Sequence, residues 1–207
     1  MMDLPAMNSE CSLRLILLRH GEPSPAVLGI CYGKLDVELS DKGEEQIRGK
    51  LPFLRMARPH ALYTSPRKRA AETARIVGGA LGMSAQTVEA LAEIDFGEFE
   101  GRSWDEIRKL YPEEFRMWME HPAAVTFPGG ENFAALKQRV LGFTATLQQS
   151  HQGQTVVIVA HGGVNRVILA DAFGMSDAMA FRIDQAYAAA SVIDYFGEAP
   201  LVRLING

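Results

Sequence analysis

Cysteine is scarce in this 207-residue chain: Cys11 and Cys31 are the only two, spaced for neither a disulfide framework nor a metal site. The opening "MMDLPAMNSE" lacks the basic start and apolar run of a secretory signal. Together these absences point to a reducing cytoplasm, with residues 1–11 as a loose tail ahead of one domain over 12–207. No apolar run approaches the length of a membrane span. Positive charge is in deficit as well. With 21 Lys and Arg against 25 Asp and Glu, the chain carries −4 and lacks the broad basic face that nucleic acid or a membrane surface requires. A small anion needs only local positive charge, so a small-molecule partner stays open.

What is present is an alternation of short aliphatic runs with longer helical patterns, the mark of an α/β fold. "LRLILL" (13–18), "ALYT" (61–64), "TVVIVA" (155–160) and "ASVIDYF" (190–196) read as strands, with "LVRLI" near the end as a weaker fifth. The first and third are continuously apolar, as central strands covered on both faces must be. Ser40 reads as the cap of one helix, with Asp41, Glu44 and Glu45 in its first turn. Ser65-Pro66 reads as the start of a second, with Ala70, Ala74, Val77 and Leu81 as its apolar stripe. A third is expected from about Ser103 to Glu120, aligning Trp104, Ile107, Tyr111, Phe115 and Trp118, and a fourth from "PGGEN" to about Ser150.

Two of the five histidines stand apart. His20 ends "LILLRHG" and His161 ends "VVIVAHGG", each directly after an aliphatic run and directly before glycine, whereas His60, His121 and His151 sit in polar or turn-like settings. Ligands of open α/β sheets bind outside the carboxyl ends of the strands. If these two strands are parallel neighbours, both imidazoles reach that edge together. The glycines, Gly162 among them, would let the backbone turn and a ligand approach its amides.

Arg19 beside His20 needs an anionic partner if buried, and its planar fork fits two oxygens of a phosphoryl group or carboxylate. Arg69, about one turn into its helix, is either solvated or turned toward an anion near that helix start. "LAEIDFGEFEG" offers four acidic residues, Glu93, Asp95, Glu98 and Glu100, and spacing alone does not choose among them. Two histidines and two arginines without a hydroxyl nucleophile or metal set suggest phosphoryl transfer through histidine itself. A neutral imidazole attacks phosphorus, the cations clamp the spread charge, and a carboxylic acid protonates the leaving oxygen. His-Gly-Gly and Arg-His-Gly lack usual metal-ligand spacing, so neither a metal nor another cofactor is expected.

In order and approximate spacing, "LRHGE", "SPRKRAAETA", "LAEIDFGEFEG" and "AHGG" resemble the histidine phosphatase superfamily, the phosphoglycerate-mutase-like group. The resemblance covers about Leu13 to Phe196. It implies a three-layer α/β/α sandwich with a mostly parallel central sheet and a short helical cap insertion, here about residues 93–131. It also implies roles: His20 as nucleophile, Arg19 and Arg69 as phosphate clamps, His161 as second pocket histidine beside Gly162, and Glu93 as proton donor. "CYGKLDVELSDKG", "DFGEFEGRSWDEI" and "FPGGENF" look most like α-ribazole phosphatases of cobalamin biosynthesis. Mutases usually follow "RHG" with Ser-x-Trp-Asn, where this chain has "EPSPAV", so hydrolysis of a small phosphorylated metabolite, by an α-ribazole phosphatase or a related broad-specificity phosphatase, is expected over mutase chemistry, and the intact set of Arg19, His20, Arg69, Glu93 and His161 argues against a non-catalytic phosphate-binding module.

Overall fold

Strand β1 (Leu13–Arg19) is buried along nearly its whole length because both of its faces are covered. Leu13, Leu15 and Leu17 enter one core and Ile16 and Leu18 another, the alternation that a strand imposes. The computed structural model describes residues 6–207. It continues with β2 (Ala61–Thr64), β3 (Gln86–Thr87), β4 (Gln154–Ala160), β5 (Ala190–Phe196) and β6 (Ala199–Leu204). The sheet order is β3-β2-β4-β1-β5-β6. The first four strands in that order are parallel, β5 runs antiparallel to β1, and β6 antiparallel to β5.

The helices are α1 (Asp41–Ala57), α2 (Lys68–Leu81), α3 (Trp104–Leu110), α4 (Pro112–Glu120), α5 (Phe133–Ser150), α6 (Gly162–Ala172) and α7 (Asp177–Ala180). On one side of the sheet Ile47 and Leu54 of α1 and Ala70, Ala74 and Val77 of α2 join Ile16, Leu18, Val157 and Val159. On the other, Leu136 and Val140 of α5 and Val164 and Ile168 of α6 join Leu15, Leu17 and Ile158. This is the expected α/β architecture with a mostly parallel sheet between helical layers. Where β1 meets β5, a charge is buried: Arg14 grips Asp194 through Nε and Nη2 at 2.7 and 2.8 Å, and Arg203 adds a third bond at 2.9 Å. Those bonds offset the cost of desolvating the pair. No described helix is long and apolar enough to cross a membrane.

Several helix starts follow from their caps. Ser40 Oγ accepts the Gly43 amide at 3.0 Å, Asn132 Oδ1 accepts that of Ala135 at 2.9 Å, and Ser103 and Glu106 form a reciprocal capping box. Two expectations change. Helix α2 begins at Lys68, not Pro66, and Ser65 turns its hydroxyl toward His161 instead of capping it. The helix expected over 103–120 divides at Tyr111 (φ −133, ψ 60), because Pro112 disfavours helical backbone at the preceding residue. Of the tail expected over 1–11, residues 1–5 lie outside the described residues. Cys11 is buried beside the start of β1, and the Ser12 amide donates to Tyr195 O at 2.7 Å.

Candidate active site

The parallel register that pairs Arg19 with Ala160 makes His20 and His161 neighbours at the carboxyl edge of the sheet. Their rings lie 5.2 Å apart, edge to face. The glycine after His20 is required by contact: a Cβ on Gly21 would stand 2.4 Å from Gly43 O. Neither Gly21 nor Gly162 nor Gly163 has positive φ, so close approach, not a turn, explains these glycines.

His20 is 2% exposed. Its Nδ1 lies 2.7 Å from Gly21 O, which can only accept, so the proton sits on Nδ1. Nε2 is left with its lone pair, which accepts from Arg69 Nε at 3.3 Å. Burial, then the charges of Arg69 and Arg19, pulls the His20 pKa well below the usual imidazole value. The ring is neutral at pH 7. Burial and the same arginines hold His161 neutral too. Ser65 Oγ accepts the Arg67 amide at 3.2 Å and lies 2.7 Å from His161 Nε2. The buried Ser65 hydroxyl has no other acceptor among the described residues, so its proton goes to Nε2 and the His161 proton sits on Nδ1. That Nδ1 is buried and has no partner among the described residues.

Arg19 and Arg69 both stand close enough to His20 to act on its charge. Arg69, expected either solvated or turned inward, is 1% exposed and donates to Leu35 O at 2.9 Å and Gly33 O at 2.8 Å. Arg19 donates through Nη1 to Gln185 O, and its buried Nε has no partner among the described residues. Each guanidinium lies over a tyrosine: Arg19 is 4.1 Å from the Tyr187 ring centre and Arg69 5.1 Å from that of Tyr32. The two hydroxyls meet at 2.6 Å, tying the loops behind both arginines together. Gly162 is buried between cations, since a Cβ there would lie 3.8 Å from Arg19 Cζ and 3.0 Å from Arg166 Nη1.

The cavity over His20 holds about 200 Å³, with Phe96, Trp104 and Trp118 as its aromatic wall. Of the four acidic residues that spacing left open, Glu93 lines it. Its carboxylate accepts the Gly163 amide at 3.1 Å and the Ile94 amide at 3.0 Å. The others are engaged elsewhere: Asp95 with Lys34 at 3.0 Å, Glu98 with the Tyr111 hydroxyl, and Glu100 with the Gly33 and Lys34 amides. "PGGEN" stays outside this cavity, and its Glu131 pairs with Arg139 at 2.8 Å. Among the described residues no three His, Cys, Asp or Glu side chains gather as a metal site.

Arg19, His20, Arg69, Glu93, His161 and Gly162 are thus brought together. From sequence Ser65 reads as a helix cap, and Tyr32, Tyr187, Phe96 and Arg166 carry no local signal. The assembled site offers a neutral imidazole with an available lone pair, set among donors without an acceptor. That arrangement suits a tetrahedral oxyanion.

Comparison with known proteins agrees. The histidine phosphatase superfamily (branch 1) profile matches residues 15–207. Phosphoserine phosphatase 1 of Hydrogenobacter thermophilus is 38% identical over 151 residues, covering 72% of this chain and 71% of that protein. The adenosylcobalamin/alpha-ribazole phosphatase of Escherichia coli is 30% identical over 196 residues, 94% and 96% of the two chains. The crystal structure of the alpha-ribazole phosphatase from Shigella flexneri superposes with a TM-score of 0.86 at 28% identity, covering 94% of this chain and 96% of that one. With a profile running from β1 through β6 and relatives that span nearly the whole chain, the protein belongs to branch 1 of the histidine phosphatase superfamily and is a phosphatase of that family.

Proposed function

We propose that the protein hydrolyses small phosphomonoesters through a phosphohistidine at His20, without a metal ion. The observation that carries this reading is the pair of buried, unpartnered donors, Arg19 Nε and His161 Nδ1, beside a histidine whose Nε2 lone pair engages only Arg69 Nε, at 3.3 Å. An arriving phosphoryl group completes both donors. Arg69 then exchanges its long bond to His20 Nε2 for a phosphoryl oxygen. Nε2 bonds to phosphorus as the ester P–O bond breaks, and the leaving oxygen takes a proton from the Glu93 carboxyl. Water next attacks phosphorus, the N–P bond breaks, and the water's proton passes to Glu93 as phosphate departs. The free, buried Cys11 and Cys31 fit a cytoplasmic setting.

For the substrate, the aromatic wall of Phe96, Trp104 and Trp118 supports a planar leaving group. α-Ribazole 5′-phosphate, toward which the motifs point, is one such compound. The test of the chemistry is independent of that choice. Wild-type protein mixed with a labelled phosphomonoester and quenched should hold acid-labile label, and His20→Ala should hold none while losing at least about 10⁴-fold in turnover. Label retained by the variant would overturn the assignment. Phosphate release should also exceed any transfer between positions of phosphoglycerate, which separates hydrolysis from mutase chemistry.

A further inference from the structure

Glu100 does not line the cavity over His20, yet its carboxylate accepts four backbone amides. Oε1 takes Lys34 N at 2.7 Å and Phe96 N at 3.2 Å, and Oε2 takes Leu35 N at 3.3 Å. Both oxygens lie 3.0 Å from Gly33 N. Bonds to an ionised acceptor are roughly twice as strong as neutral ones, so this one side chain holds the loop formed by Gly33, Lys34 and Leu35. The loop seats closely because its first residue is glycine: a Cβ on Gly33 would stand 2.1 Å from Ile94 O.

The same loop holds Arg69, which donates through Nη2 to Gly33 O at 2.8 Å and through Nη1 to Leu35 O at 2.9 Å. Gly33 O and the Lys34 N–H belong to one peptide unit. That rigid plane carries the Glu100 carboxylate on its N–H and the Arg69 guanidinium on its carbonyl. A peptide polarised from both ends binds each partner more firmly than it would bind one alone. Burial works against the Arg69 charge, and the carboxylates that favour it are Glu93 and Glu100. Glu93 must be protonated to act as acid, and its charge is then absent.

We propose that Glu100 is a positioning residue for Arg69: through the Gly33–Lys34 peptide it acts as the guanidinium's indirect counter-ion and fixes the plane in which Arg69 meets the phosphoryl group. This rests on the phosphohydrolase reading, which makes Arg69 a clamp. The rival role lies on the side of the leaving group. Phe96, whose amide Glu100 also holds, is shared by the cavity over His20 and a second one of about 210 Å³ beside it, lined as well by Glu93, Trp118, Phe181 and Arg166. Acting through Phe96, Glu100 would discriminate among alcohols. Acting through Arg69, it serves every phosphomonoester alike.

The test is a double-mutant cycle. Glu100→Gln should lower kcat/KM by roughly 10- to 100-fold, the worth of a charge-assisted bond, and equally on p-nitrophenyl phosphate and glycerol 3-phosphate. In an Arg69→Met background the same change should cost less than about 2-fold, because nothing remains for Glu100 to position. A loss as large there as in the wild type would overturn the proposal, and so would a loss confined to one ester. Glu100→Asp keeps the charge but draws it back by one methylene. It should lose less than Glu100→Gln, and it carries the same cycle where Glu100→Gln does not fold. Nuclear magnetic resonance with isotope-labelled arginine reads the positioning without turnover, the Arg69 signals being those missing from Arg69→Met. Their Nη protons should exchange about 10-fold faster or more in Glu100→Gln, and unchanged exchange would sink the proposal. Faster exchange in a protein whose His20→Ala variant still turns over would remove the phosphohydrolase reading and keep this one. Unchanged exchange in an enzyme that needs His20 does the reverse.

Discussion

The floor of the pocket and its cap-side wall are built to different standards of rigidity. On the floor, His20, Arg69 and His161 are at most 2% exposed and follow β1, β2 and β4 directly or within a turn of helix. Their positions are inherited from a sheet whose strands have cores on both sides. The wall rises from the short helices α3 and α4, which part at Tyr111, and Trp104 at its rim is 39% exposed. Rigid geometry suits the phosphoryl group, which is identical in every substrate. A looser wall suits the alcohol, which varies. On this division, damage to the floor should be independent of the leaving group, and damage nearer the wall should depend on it.

The largest break comes from the floor. Arg69→Met removes a clamp and strands Gly33 O and Leu35 O, so kcat/KM should fall about 10³-fold on aryl and alkyl phosphates alike. A loss confined to one class of ester would show that Arg69 serves the leaving group and would erase the division. Glu93 stands where the two regions meet, lining both cavities. Glu93→Gln should cost about 10²-fold or more on alkyl phosphates, whose leaving oxygen needs a proton, and far less on p-nitrophenyl phosphate. Equal losses on the two would remove Glu93 from the role of acid.

The same division explains what a reader of the sequence can see. The floor is legible because strand and ligand group are contiguous: "LILLRH" and "VVIVAH" carry both the burial pattern and the residue at its end. Parallel pairing then needs only the ordinary rules of α/β sheets to bring His20 to His161. Ser65 misled because a serine before Pro66 has the chemistry of a cap, while its actual partner, His161, is far along the chain. Tyr32 and Tyr187 meet through their hydroxyls from loops 155 residues apart in the chain, and neither has a neighbour in sequence that announces the other. Spacing leaves the acid open for a similar reason, although the family resemblance points to Glu93. Glu93, Asp95, Glu98 and Glu100 share a polar stretch, and only the path of the backbone decides which faces His20. Arg166 falls one helical turn past Gly162, where an arginine reads as solvated until the aromatic residues of the cavity are placed around it.

The smallest expected effect separates floor from wall by acid. An unfolded imidazole titrates near about 6.5, and both floor histidines have folded values well below that. As pH falls through this window the unfolded chain takes up protons that the native fold refuses, so stability drops as pH decreases, by about 1.4 kcal/mol per pH unit for each such group. His161→Gln, which keeps a hydrogen-bonding side chain opposite Ser65 Oγ, removes one of the two. Between pH 6 and 5 its unfolding free energy, from urea titration, should therefore decline less steeply than that of the wild type by about that amount. Carboxylates contribute equally to both proteins and cancel in the difference. Trp118→Ala, a wall change with no proton to exchange, should lower stability by the same amount at every pH. Parallel curves for His161→Gln and wild type would mean that His161 is not held neutral by the floor, and the contrast in rigidity between the two regions would lose its electrostatic half.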